Sequence, residues 1–265
     1  ELMNLGSLSD QLLSWCNALV GRFRGGLGHV NVVSSLIFSG MSGSAIADVV
    51  GVGKLTMDMM TKDGKYTPAY AAALTAATAT IGPIIPPSIP LVLYALISDT
   101  SVGYLFAAGV VPGLVMALVM MAMNGVLAHR RNFPVERAVP MREFLPLTWQ
   151  AMPALMMPVV LLGGIYSGVM TPTESAAVAA LYALVISVVL YRSVSGQGLY
   201  GALLGSGRQM ASVGILIAGA LVFNYVVTKE EVPQTVKVFL QGFDLSAMGF
   251  LLLVNASMTF ICLAI

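Results

Sequence analysis

Charge is what this sequence has least of. Only 9% of its 265 residues are Asp, Glu, Lys or Arg, whereas 57% are hydrophobic. A soluble globular domain carries roughly 25% charged residues to cover its surface, so this composition excludes one. The net charge of +1 offers no concentrated basic face, which excludes nucleic acid as a partner. Cysteine is nearly absent as well. Cys16 and Cys262 are each set in apolar sequence and read as buried thiols rather than as a disulfide or metal site. His29 and His129 stand beside basic residues with no second ligand at a metal-binding spacing. The chain has no nucleophile–base pair, phosphate-binding loop or dinucleotide motif, so an enzyme reading has no residues to stand on.

Long apolar runs are what it has instead. Residues 102–128 contain no Asp, Glu, Lys, Arg or His. At about 1.5 Å per residue, such a run crosses a hydrocarbon core of roughly 30 Å. Further spans are expected at 66–97, 145–166, 172–191, about 209–227 and 246–265, after a hairpin-like region at about 28–53. The predicted class is an all-α polytopic membrane protein. Gly/Ser-rich 193–198 and basic His129–Arg142 read as loops. The chain opens on what reads as the end of a helix and stops inside an apolar run, so a piece of a longer polypeptide is expected.

The basic residues suggest how the spans are threaded. If the first apolar region dips in and returns to the same side, only Lys229 and Lys237 of the thirteen basic residues fall on the far face. Arg22, Arg24, Lys54, Lys62, Lys65, Arg130, Arg131, Arg137, Arg142, Arg192 and Arg208 share the other. The positive-inside rule makes that face cytoplasmic. A full crossing would separate Arg22 and Arg24 from Lys54, Lys62 and Lys65, so a re-entrant hairpin is predicted.

The hairpin is interrupted near its middle by Ser39-Gly40-Met41-Ser42-Gly43-Ser44-Ala45. Gly40 and Gly43 are expected to loosen the helix there. The next span is broken at Thr80-Ile81-Gly82-Pro83-Ile84-Ile85-Pro86-Pro87-Ser88-Ile89-Pro90, because four prolines cannot share one continuous helix. The paths from Val30 to Gly43 and from Thr67 to Gly82 are of nearly equal length. At about 1.5 Å per residue, both breaks lie roughly 20 Å in from the same side. Irregular backbone at that depth is tolerated where it is buried in protein or lines a cavity. Half-helix C-termini offer carbonyls to a cation, and N-termini offer N–H groups to an anion. A cation site is therefore expected at Ser42, Gly43, Ser44 and Ala45 together with Thr80, Ile81, Gly82, Pro83 and Ile85. Ser44 and Ser88 are candidates for the substrate. Kinks that serve packing alone are the bland alternative, and two polar breaks at matching depth weigh against it.

Other residues read more plainly. Thr171-Pro172-Thr173-Glu174 fits a helix start, with Thr171 as N-cap and Glu174 closing a capping box. Asp48 lies about a turn past Ser44, where it suits either the helix dipole or the balance of a bound cation. The methionines, seventeen in all, read as helix packing. Gly163, Gly164, Gly201, Gly205 and Gly214 read as close helix contacts.

These stretches, with Gly25-Gly26-Leu27-Gly28-His29-Val30-Asn31-Val32, Gly109-Val110-Val111-Pro112-Gly113 and the segment from Gly164 through Glu174 to Ala176, strongly resemble the large membrane subunit of TRAP (tripartite ATP-independent periplasmic) transporters. The likeness covers about residues 20–190 and fades beyond. It implies one repeat of an inverted-repeat, elevator-type fold. Residues 1–24 would be the end of a preceding helix and a basic loop. The transport-type region would be 25–98, with the hairpin at 25–60 and the broken helix at 66–97. Residues 99–192 would be membrane helices and 193–265 the truncated start of a second repeat. It also implies sodium (Na+)-coupled uptake of a carboxylate across the bacterial inner membrane, a small membrane partner subunit and a periplasmic substrate-binding protein. The family's second hairpin and second sodium site would follow Ile265. A single-component carboxylate carrier and a non-transporting scaffold subunit are the competing readings. A channel is disfavoured by the absence of filter-like or pore-lining charge.

Overall fold

A computed structural model describes residues 8–136, 139–190, 195–242 and 246–264; their regular structure is all helical, with no strand among them. Arg137 and Arg192, both part of the charge argument, and the side chain of Cys262 lie outside the described residues. The chain forms two compact units, one ending at Ser206 and the other beginning at Gly207.

In the first unit, α1 (Leu8–Val20) is followed by α2 (Gly26–Ser42). After a two-residue break come α3 (Ala45–Asp48), a π-helical turn (Val49–Gly53) and α4 (Lys54–Thr61), which together run back along α2 as a helical hairpin. Thr67 caps α5 (Pro68–Ala79), its hydroxyl accepting from the Tyr70 N–H, and Pro68 stands where a missing N–H costs nothing. α6 (Ile89–Ser98) then resumes in the same span. α7 (Val102–Arg130), α8 (Met141–Tyr166) and α9 (Pro172–Val185, extended by a π segment to Leu190) complete the unit.

Buried side chains fall into two clusters, with α2 between them. On one side Val30, Phe38 and Met41 meet Leu12 and Cys16 of α1, Met157 and Leu161 of α8, and Ala179 of α9. On the other, Leu27 and Val32 meet Leu74 of α5, Ala117 of α7, and Tyr66 and Phe133. A helix buried on both faces is an interior helix, so α2 is held inside protein, whereas α6 leaves Tyr94 and Leu96 exposed.

Among the described residues, four helices are long and apolar enough to cross a membrane: Val102–Arg130, Arg142–Tyr166, Pro172–Leu190 and Gly196–Lys229. Leu118 (65% exposed) and Val119 (61%) on α7, and Leu181 (60%) on α9, leave apolar surface uncovered by this chain, as lipid-facing helices do. The last of the four is α10, which runs across the boundary between the two units. In the second unit, the remainder of α10 is followed by α11 (Val232–Gln241) and α12 (Ala247–Ala264).

Three expectations are corrected. Gly40 does not loosen the hairpin, because α2 continues through it to Ser42. Gly40 packs beside Pro158 of α8, whose Cγ would lie 3.5 Å from a β-carbon there, an ordinary contact distance. The Gly/Ser-rich loop is shorter than expected, since α10 is already helical from Gly196. Among the described residues, Gly163, Gly201 and Gly214 face open space rather than a neighbouring helix, whereas Gly164 does pack closely, against Ser175. Small residues permit close approach without requiring it.

Candidate functional site

The hairpin tip is built by two caps back to back. Gly43 takes φ 61°, ends α2, and donates its N–H to the Ser39 carbonyl; only glycine adopts that left-handed geometry at no steric cost. Ser44 is extended and starts α3, its hydroxyl accepting from the Ala47 N–H at 3.4 Å. The break in the second span has the same logic. Past the C-cap Thr80, the Ile81 N–H reaches the Thr78 carbonyl (3.0 Å) and the Gly82 N–H that of Ala79 (3.1 Å). Pro83, Pro86 and Pro87 prevent the helix from continuing. Ser88 then caps α6, accepting from the Leu91 N–H at 3.3 Å. Its hydroxyl also donates to the Pro83 carbonyl, which ties the break closed.

Tip and break touch. A β-carbon at Gly43 would collide with the Pro87 carbonyl oxygen and sit 3.3 Å from Cα of Ser88. One at Gly82 would lie 3.2 Å from the Ala45 nitrogen and the Ser44 carbonyl carbon. The chain therefore brings Gly43, Ser44 and Ala45 against Gly82, Pro87 and Ser88, with Ser42 adjoining. Two half-helix C-termini, of α2 and α5, and the N-termini of the α3–α4 run and α6 end in this small region. Thr80 and Ile85 contribute differently. The Thr80 side chain is exposed, its hydroxyl spent on the Ala77 carbonyl at 2.6 Å. Ile85 is buried and turned toward α7, where a side chain on Gly113 would collide with it. Gly109, one turn earlier, would meet the Ile84 carbonyl at 2.5 Å. The spacing of these two glycines gives α7 a flat face on which the break rests.

The family model of the tripartite ATP-independent periplasmic transporter, DctM component, matches residues 1–265. The chain belongs to that family. The match continues past residue 190, where the motif likeness had been expected to fade. The sialic acid TRAP transporter large permease protein SiaM of Vibrio cholerae is 39% identical over 261 residues, covering 98% of this chain and 61% of that protein. The C4-dicarboxylate TRAP transporter large permease protein DctM of Pseudomonas aeruginosa is 39% identical over 253 residues, covering 96% and 59%. The 2,3-diketo-L-gulonate TRAP transporter large permease protein YiaN of Escherichia coli is 38% identical over 241 residues, covering 91% and 56%. This chain thus spans roughly three fifths of the length of such curated relatives. The family's description and the relatives' names are those of transporter components and not of enzymes.

In this DctM-family chain a polar seam, not anticipated from the sequence, runs below the tip. Asn31 of α2 is fully buried; its amide donates to the Thr75 hydroxyl (2.7 Å) and accepts from that of Thr78 (3.2 Å). The Ser35 hydroxyl donates to Thr78 Oγ1 at 3.3 Å. These bonds join the hairpin to α5, and interhelical hydrogen bonds in membranes contribute about 0.6 kcal/mol each. Nearer the tip the partners run out, for the buried hydroxyls of Ser39 and Ser42 have none among the described residues. Asn31, Ser35, Ser39 and Ser42 recur at i, i+4, i+8 and i+11. That helical period was the signal available beforehand.

Asp48 shares this interior. It is 1% exposed, its carboxylate makes no hydrogen bond of ordinary geometry among the described residues, and the polar side chain beside it is that of Ser35. It caps nothing, because Ser44 supplies the cap. Glu174, by contrast, completes the expected capping box. Its carboxylate accepts from the N–H and hydroxyl of Thr171, both at 2.8 Å, while Thr171 Oγ1 accepts from the Glu174 N–H. Glu174→Gln is expected to leave transport within about twofold of wild type, since glutamine also fills a capping box. A loss of uptake at normal membrane expression would mean that the charge itself matters.

Proposed function

We propose that the chain is the cation- and substrate-handling repeat of a sodium-coupled carrier that imports a small organic anion across the bacterial inner membrane. The observation that carries this reading is the contact between the Gly43 tip and the Gly82–Ser88 break. It gathers opposed half-helix ends, the arrangement that secondary transporters use for ions and substrates. In this reading the hairpin is re-entrant, and the chain is one of two inverted repeats in an elevator-type carrier.

Sodium would be held chiefly by main-chain carbonyls of Ser42, Gly43, Ser44 and Ala45 at the tip and of Thr80, Ile81, Gly82, Pro83 and Ile85 at the break. A hard cation takes such oxygen ligands. Asp48, buried with no ion-pair partner among the described residues, would balance its charge, because an ionised carboxylate is costly in the interior unless paired. The anion would be met by the N-terminal N–H groups beside Ser44 and Ser88. The Ser88 hydroxyl is already engaged within the chain, so its helix end is what it would offer. A small membrane subunit would complete the carrier, and a periplasmic binding protein would deliver the substrate. Relatives named for sialic acid and for C4-dicarboxylates make those two the first substrates to try. If several cations accompany each anion, net positive charge moves inward. The membrane potential then contributes about 2.3 kcal/mol per charge per 100 mV.

The test is uptake by proteoliposomes holding the full-length protein and its partners, with labelled sialic acid and C4-dicarboxylates, across a range of sodium concentrations. Uptake that rises with sodium and requires the binding protein is expected. Uptake indifferent to sodium would sink the coupling, and uptake without the binding protein would favour a single-component carrier.

A further inference from the structure

The roots of the hairpin and of the broken helix meet far from the tip, at one buried amide. Asn124 lies in an apolar stretch of α7 and is fully buried. Such an amide is costly unless its hydrogen-bonding groups find partners. Asn124 Oδ1 accepts from the Tyr70 hydroxyl at 2.7 Å, and Nδ2 donates to the Gly25 carbonyl at 3.2 Å. Gly25 immediately precedes α2, and Tyr70 stands in the first turn of α5. One side chain thus bonds to the starts of both elements that form the candidate site.

The backbone is shaped to let it do so. Gly25 takes φ 75°, and a β-carbon there would press on Ala128. A β-carbon on Gly28 would collide with the Asn124 amide itself. The segment after α7 reinforces the same junction. Phe133 lies 4.5 Å from the ring of Tyr66 and 4.9 Å from that of Tyr70. The Gly25 N–H reaches the Pro134 carbonyl at 3.1 Å, and Lys65 pairs with Glu136 at 2.8 Å. At its other end α7 meets the break through Gly109 and Gly113. α2, α5 and α7 are therefore pinned to one another at both ends.

We propose that Asn124 is a positioning residue for the candidate cation site, setting the roots of α2 and α5 so that Gly43 and Gly82 stay in register. This rests on the sodium reading above. The lever is long. α2 spans 17 residues, about 24 Å at 1.5 Å per residue, so a tilt of roughly 3° at its root moves the tip by more than 1 Å. A site of fixed oxygen ligands tolerates about 0.5 Å.

The experiment compares wild type, Asn124→Leu and Tyr70→Phe in reconstituted full-length protein, reading sodium half-saturation, maximal uptake and substrate KM. Asn124→Leu should raise the sodium half-saturation about tenfold and Tyr70→Phe about threefold, with maximal uptake at saturating sodium within twofold of wild type. The double variant should be no worse than Asn124→Leu alone, because Asn124→Leu already removes the bond that Tyr70→Phe breaks. Reduced insertion or maximal rate at unchanged half-saturation would mean mere packing and overturn the proposal. If Asn124→Leu fails to insert, Tyr70→Phe decides, since it keeps the ring against Phe133 and loses only the hydroxyl; unchanged half-saturation there overturns it. If wild-type uptake ignores sodium, the sodium reading falls and substrate KM becomes the readout. A raised KM in both variants then supports positioning, and an unchanged one overturns it.

Discussion

Gly43→Val is expected to abolish sodium-dependent uptake, and Gly82→Val to reduce it at least a hundredfold, in protein that still inserts. Valine at Gly43 meets two obstacles. The left-handed backbone, φ 61°, costs an ordinary L-residue about 1–2 kcal/mol and a β-branched one more. Its β-carbon would also collide with the Pro87 carbonyl oxygen, which is backbone and cannot swing aside. At Gly82 the backbone is not left-handed, and a β-carbon would nearly fit, 3.2 Å from Ala45, Ser44 and Ala79 atoms. The two methyls of valine would not fit, and they would push tip and break apart. Ser42→Ala removes only a hydroxyl with no partner among the described residues. A single lost oxygen ligand of about 1 kcal/mol shifts sodium half-saturation by roughly fivefold. Sodium titration of uptake in proteoliposomes distinguishes these outcomes. Folded, inserted glycine variants that keep the wild-type sodium dependence would place the cation elsewhere.

Asp48→Asn should lose at least 90% of sodium-coupled uptake while leaving the fold assembled. The substitution keeps size and shape and removes only the charge. Were Asp48 a helix-dipole residue, that change would be worth about 0.3–1 kcal/mol, and transport would survive. The geometry speaks against that role, because the carboxylate is 1% exposed and bonds to no backbone N–H. A buried carboxylate without a cation is the costlier state, so sodium should stabilise wild type and not the variant. Melting curves of purified protein with and without sodium provide the check, since a ligand at a hundred times its Kd adds about 2.7 kcal/mol. If the Asp48→Asn variant transports normally and is still stabilised by sodium, the charge has no part in coupling.

A cleft of about 480 Å³ lies where α1, α4 and the start of α8 diverge, lined by Asp10, Leu13, Asn17, Asp58, Lys62 and Leu147 among others. It is separate from the tip and break and plays no part in the proposed binding.

Much of this protein was legible before any coordinates. Membrane residence follows from composition, because a chain this poor in charge cannot solvate its own surface. The two breaks follow from local chemistry. Gly43 ends α2 and Pro83, Pro86 and Pro87 end α5 through backbone restrictions that act within a few residues. The capping box at Thr171 and Glu174 is equally local, and it stands as expected. Gly40 misled for a related reason. A glycine permits a bend without requiring one, and here α2 continues through Gly40 to Ser42.

The sequence by itself determined that helices break at Gly43 and at Pro83–Pro87, that one starts at Thr171 and that they lie in a membrane, because those outcomes depend on nearest neighbours and on solvent; it missed the start of α10, helical from Gly196. Only the tertiary structure decided that the breaks touch, that Asn31, Thr75 and Thr78 share one seam, that Asp48 is buried with no ion-pair partner among the described residues, and that Asn124 reaches Gly25 and Tyr70. Those contacts join residues tens of positions apart. Their partners are chosen by how helices pack, and no local pattern of residues encodes that choice.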